Sequence, residues 1–107
     1  MPISFSSADA AILSTRTLLY TCPAATQGIL FSGTISNIDN ALQADHNLTL
    51  EVQKVDTSYV VSLNKIIISY NSSLNLPKIV LSPGEKIYLT ADLASVLSAR
   101  VSIVQKT

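Results

Sequence analysis

Side chains able to do chemistry are few in this sequence. His46 is the only histidine, and Asp45 precedes it, a pairing that resembles a metal or acid–base site. A metal site needs three or four convergent ligands, and one imidazole in a polar stretch supplies one. The spacing therefore predicts a solvated loop histidine. Cys22 is the only thiol. A nucleophilic cysteine needs a base or a helix N-terminus close by to lower its pKa. Cys22 instead precedes Pro23 among apolar neighbours, which predicts a buried, inert side chain. Of the carboxylates Asp39, Asp45, Glu51, Asp56, Glu85 and Asp92, most fall in turns, where they cap backbone groups. No pair stands out for general acid–base work.

The phosphate-cradling patterns G-x-x-x-x-G-K-S/T and G-x-G-x-x-G are missing, as is the nucleophile elbow G-x-S-x-G. The three glycines, Gly28, Gly33 and Gly84, are too few and too far apart to build such a loop. Tyr20, Tyr59, Tyr70 and Tyr88 have no tryptophan beside them and fall on four different expected strands. That favours core or interface positions over a platform for stacking bases or sugars. Asn47-Leu48-Thr49 and Asn71-Ser72-Ser73 match the glycosylation acceptor pattern, which is short and common. The expectation is a protein that is not an enzyme, with no catalytic, cofactor-binding or metal-binding residues and no cofactor.

Charge points the same way. The 107 residues carry seven basic and seven acidic side chains, for a formal net charge of zero. The basic residues Arg16, Lys54, Lys65, Lys78, Lys86, Arg100 and Lys106 are scattered, so no footprint for nucleic acid or an anionic membrane is expected. Charged residues make up 13% of the chain, against about 25% in an ordinary soluble domain. Ser, Thr, Asn and aliphatic residues take their place. A surface so poor in charge is weakly protected against association, which suggests that partners cover much of it. One cysteine permits no intrachain disulfide, and Met1 to Thr15 lacks the basic start and apolar stretch of a secretory signal. The uncharged segment Thr17 to Ile38 contains Pro23, Gly28, Gly33 and several hydroxyl side chains. It does not make the roughly 20-residue apolar helix of a membrane span, and no membrane partner is expected.

The elements that must carry these residues are strands, because period-two patterns dominate. Arg16 to Thr21 reads as a short strand ended by Cys22-Pro23. Gly28 to Ile38 follows, with Ile29, Phe31, Gly33 and Ile35 expected on one face. Asn37 to Asn47 reads as a loop. Leu48, Leu50 and Val52 alternate with Thr49, Glu51 and Gln53 in the clearest strand of the chain. Tyr59 to Leu63 and Asn64 to Tyr70 read as two further strands. Leu74 and Leu76 form an edge piece halted by Pro77, and Lys78 to Leu81 is a short strand. Ser82-Pro83-Gly84-Glu85 is a strong turn signal: Pro presets φ at its first central position and Gly supplies positive φ at the second. Lys86 to Ala91 and Ala99 to Gln105 complete the pattern, with Asp92 to Ser98 as a loop or one helical turn. The expected fold is all-β, a single β-sandwich of seven or eight strands, with jelly-roll and immunoglobulin-like connections both open. Residues 1–15 are expected as an N-terminal arm and residues 16–107 as the sandwich domain.

Thr17-Leu-Leu-Tyr-Thr-Cys-Pro-Ala-Ala-Thr-Gln-Gly-Ile29, followed by Asn37-Ile38-Asp39, resembles a pattern in small all-β virion structural proteins of tailed bacteriophages. Ile66-Ile-Ile-Ser-Tyr-Asn-Ser-Ser-Leu-Asn-Leu76 and Lys78-Ile-Val-Leu-Ser-Pro-Gly-Glu-Lys-Ile87 are similar to later segments of that family. The resemblance covers roughly residues 16 to 104. It implies a sandwich in the virion, assembled in the host cytoplasm, without catalysis and with no site residues to carry over. On this reading the protein is a capsid decoration or cement protein. Its partners are copies of itself and other virion proteins such as major capsid or neck proteins. A neck, collar or tail component is the near alternative. A receptor- or carbohydrate-binding module on a fibre is the other, carried by the loops Asn37 to Asn47 and Asp92 to Ser98.

Overall fold

The computed structural model describes residues 3–106. Nine strands follow one another: β1 (Ile3–Ile12), β2 (Thr17–Thr21), β3 (Gln27–Asn37), β4 (His46–Gln53), β5 (Tyr59–Ile68), β6 (Ser73–Asn75), β7 (Ile79–Leu81), β8 (Lys86–Ala91) and β9 (Leu97–Lys106). They form two antiparallel sheets. The first has the order β1-β9-β3, with β6 and β7 both pairing to the far side of β3, and the second has the order β2-β8-β4-β5. The chain changes sheet at every connection except β4–β5 and β6–β7. This winding is that of a jelly roll, in which no long strand pairs with its sequence neighbour except across the β4–β5 hairpin. Of the two connectivities left open by the sequence, the jelly roll is the one adopted.

Alternation fixes which way each strand faces. In β4, Leu48, Leu50 and Val52 are buried, and in β8 so are Ile87, Leu89 and Ala91. Opposite them β9 contributes Leu97, Ala99, Val101 and Ile103, and β3 contributes Leu30 and Ile35. Each large aliphatic side chain moved from water into this layer contributes about 1.5–3 kcal/mol. The Ser82–Glu85 turn forms as its residues dictate. Gly84 has φ +85° and the Glu85 amide donates to the Ser82 carbonyl at 3.1 Å.

The structure corrects two expectations about the elements. Residues 3–12 are not an arm: β1 pairs with β9 from Ile3↔Lys106 to Ile12↔Leu97. The reason is that β9 would otherwise present an unpaired margin, and Ile12 gains full burial by closing it. The division at residue 15 is therefore a turn within the sandwich. The pieces expected at Tyr59 to Leu63 and Asn64 to Tyr70 are one strand. Lys65 at φ +50° and register shifts against β4 absorb the irregularity between them. The division at Pro77 into β6 and β7 is as expected, because proline has no amide to give the ladder. With β1 added, the described residues hold nine strands against the expected seven or eight.

β3 holds the most consequential difference. Its pairing to β9 skips a residue between Leu30↔Ile103 and Ser32↔Ser102, leaving Phe31 in a β-bulge. One extra residue reverses the parity of everything beyond it. Leu30 and Ile35 therefore both face the core, while Ile29 is half-buried and Phe31 is exposed. Ile29, Phe31, Gly33 and Ile35 do not share a face.

Candidate assembly surfaces

His46 is not a solvated loop residue. It opens β4 and is only 6% exposed. Its Nε2 lies 2.7 Å from Asp39 Oδ2, and its Nδ1 lies 3.0 and 3.1 Å from the two oxygens of Asp92. Ionised carboxylates only accept hydrogen bonds, so this geometry suits the protonated ring, with both nitrogens donating. The Asp39 hydrogen bond, helped by Asp92, raises the His46 pKa above its ordinary value. The same hydrogen bond lowers that of Asp39, together with the Leu42 amide that donates to it. A ring donating from both nitrogens has no lone pair for a metal or for accepting a proton. Among the described residues no group of His, Cys, Asp or Glu is arranged to hold a metal ion. Asp45, the sequence neighbour, turns away and accepts the Tyr70 amide at 3.1 Å. The cluster pins the loop between β3 and β4. Asn37 supports it by donating to the carbonyls of Ala44 and Ile68.

Cys22 is buried, as its neighbours predict, with its Sγ directed at the Thr26 carbonyl at 3.2 Å. Burial raises its thiol pKa, the opposite of what a nucleophile requires.

Two of the four tyrosines come together on the outer face of the second sheet. Tyr59 and Tyr88 meet edge to face at 5.8 Å between ring centres. The Arg16 guanidinium lies 3.7 Å from the Tyr59 ring centre and makes two 3.1 Å hydrogen bonds to Glu51. No sequence signal links Arg16 to Tyr59, because the contact crosses from the β1–β2 turn to the opposite edge of the sheet. A sugar-stacking platform needs an open ring face, and here the guanidinium covers one face of Tyr59.

The surfaces left open are apolar. β5 is an edge strand, and Val60, Val61, Ile66 and Ile67 along it are 37–69% exposed. Val60 and Ile66 stand opposite Val52 and Leu48, so they belong to the core-facing side. They stay half-uncovered because β6 and β7, three residues each, are too short to roof this margin. On the outer face of the first sheet, strand register aligns four apolar residues. Phe5 pairs with Val104, Val104 with Ile29, and Ile29 with Val80. Phe31 projects beside this row from the bulge. Phe5 is 80% exposed, Phe31 62% and Val80 56%.

The fold thus defines a jelly-roll sandwich in which Arg16, Lys54 and Arg100 each pair with a carboxylate and whose β5 edge and outer first-sheet face expose apolar side chains. Neither a known protein family nor a curated protein matches the chain in sequence. Among solved structures it is similar to a chain described under "Bacillus endospore appendages form a novel family of disulfide-linked pili". That likeness has a TM-score of 0.62 over 99% of this chain and 87% of that one, at 10% identity. What the two share at that identity is the fold.

Proposed function

We propose that this protein is a non-catalytic structural subunit that works by assembling with copies of itself and with other proteins of a particle. The observation that carries the reading is the edge strand β5, whose β-branched side chains are exposed on both of its faces. A monomer usually guards such an edge with charge, proline or a covering loop, and β5 carries one charged residue in ten, Lys65. The low overall charge supports the same reading. For the setting we propose a virion of a tailed bacteriophage, where the subunit decorates and cements the capsid, on the strength of the sequence resemblance. A neck, collar or tail position fits the same surfaces. A fibre subunit is the second reading, favoured by the shared fold with a chain of the Bacillus endospore appendages. A carbohydrate-binding role is less favoured, because Arg16 covers one face of Tyr59 in the surface pair Tyr59–Tyr88.

Size exclusion coupled to light scattering over a concentration series tests the reading. The expected result is a concentration-dependent oligomer or a closed ring, and added purified capsids should bind the protein saturably. A protein that stays monomeric throughout and ignores capsids would remove the basis for it.

A further inference from the structure

Two irregularities of the backbone meet on the first sheet. On one side of β3 the bulge at Phe31 interrupts the pairing with β9. On the other side β6 ends at Asn75 and β7 begins at Ile79, so the ladder has a gap beside Phe31, Ser32 and Gly33. The Leu76 amide bridges this gap, donating to the Gly33 carbonyl at 2.9 Å. A hollow of about 320 Å³ opens where the two meet. Its size falls at the lower end of the range that holds small ligands, about 300–1,000 Å³. We propose that this hollow binds a neutral saccharide, with Phe31 stacking on a sugar ring and Ser32, Thr34, Asn75 and Ser102 bonding its hydroxyl groups.

The lining selects that chemistry. Phe31 is 62% exposed, and among the described residues no cation lies over its ring, in contrast to Tyr59. An open aromatic face can take the apolar C–H face of a sugar ring, and both gain from leaving water. Strand register sets polar groups around it. Ser32 stands opposite Ser102, and Thr34 stands between Arg100 and Asn75. Further along β3, Ser36 spends its hydroxyl on Ser73 at 2.9 Å. Among the described residues the side chains of Ser32, Thr34, Asn75 and Ser102 make no hydrogen bond of this kind. Hydroxyls and an amide both donate and accept, which matches the hydroxyls of a sugar. Charge argues against an anionic ligand. Asp9 lies 3.4 Å from Arg100 Nε, so the guanidinium is compensated within the chain, and the described lining holds no other ionic group. An apolar side chain of a protein partner fits poorly as well, because it would cover four polar groups and pair none of them. The hollow is separate from β5 and from the tyrosine pair. It adds a ligand to the structural subunit and does not depend on the assembly reading.

Titration of the isotopically labelled full chain, followed through its amide NMR signals, tests the proposal. The probes are glucose, galactose, mannose, N-acetylglucosamine, lactose and cellobiose. At least one is expected to bind saturably with a Kd of roughly millimolar, which is what one stacked ring and a few hydrogen bonds leave after the cost of association. The amides that shift should lie in 31–34, 75–76 and 100–102. Phe31→Ala and Asn75→Ala change exposed positions, so both should keep the wild-type melting curve in circular dichroism. Each should weaken sugar binding about tenfold, as loss of an anchoring contact does. Inorganic phosphate should shift none of these amides. Failure of every sugar to saturate would overturn the proposal. An affinity unchanged in Phe31→Ala, or shifts centred on Tyr59 and Tyr88, would do the same. Saturable phosphate binding around Arg100 without sugar binding would overturn it in favour of an anion site.

Discussion

An imidazolium held between two carboxylates titrates in a definite sense. His46 has its pKa raised above the ordinary 6.5, chiefly by its hydrogen bond to Asp39. Its contribution to stability is therefore full below 6.5 and is lost as pH rises through the raised value. Asp39 has its pKa lowered below the ordinary 3.8, chiefly by the same hydrogen bond. Its contribution is full above 3.8 and is lost as pH falls through the lowered value. The pair's contribution is thus complete between those two ordinary values. Melting temperature followed by circular dichroism should peak there and decline on both sides. His46→Gln should lower the peak and flatten the alkaline decline; an alkaline limb unchanged in that variant would mean that another group governs it. The sequence offered only Asp45 as a companion for His46. The true partners are seven and forty-six residues away, and only the winding of the jelly roll brings Asp92 beside β4. Cys22 was legible because its neighbours alone determine its burial.

At the scale of the element, most strands could be read because alternation on β4, β8 and β9 is a local property with one buried face. β3 could not, because a bulge is decided by its partner. Beyond the bulge, Val101 and Leu76 fill the space beneath Gly33, so the position has no room for a Cβ. A Cβ added at Gly33 would stand 2.7 Å from Val101 Cγ1 and 3.0 Å from Leu76 Cδ1. Both belong to buried side chains. Gly33→Ala is therefore expected to destabilise the fold by about 1–3 kcal/mol through overpacking, or roughly 4–8 °C of melting temperature per kcal/mol. Val101→Ala alone leaves a small cavity and also destabilises. The double variant should be more stable than the sum of the two losses implies, because the added methyl occupies the vacated space. Strict additivity in chemical denaturation would show that the contact is not what demands glycine. The N-terminal strand was misread for the same reason as β3. The residues of β1 alternate only weakly, and the need to cover β9 appears only once the sheet is assembled.

For the whole molecule, the single cysteine determines what kind of assembly these 107 residues can support. The fold neighbour comes from appendages described as disulfide-linked, and a covalent link of that kind needs a thiol at the surface. Cys22 is 1% exposed, and the strand-end segment around it is tied at both sides of the residue. Its amide donates to the Glu85 carbonyl at 2.8 Å, and its carbonyl accepts the Gly84 amide at 2.9 Å. Reaching the sulfur means opening the β2 margin of the sandwich. In a cooperative single domain that opening approaches global unfolding. Two consequences follow. On the proposed assembly reading, oligomers should have the same size with and without reductant, because the single thiol is buried. Alkylation of Cys22 by iodoacetamide should be slow in native buffer. In urea it should accelerate with the same midpoint as the loss of β signal in circular dichroism. Rapid labelling of the native protein, or oligomers that dissolve on reduction, would place the thiol at an interface and require the β2 end of the sandwich to open on assembly.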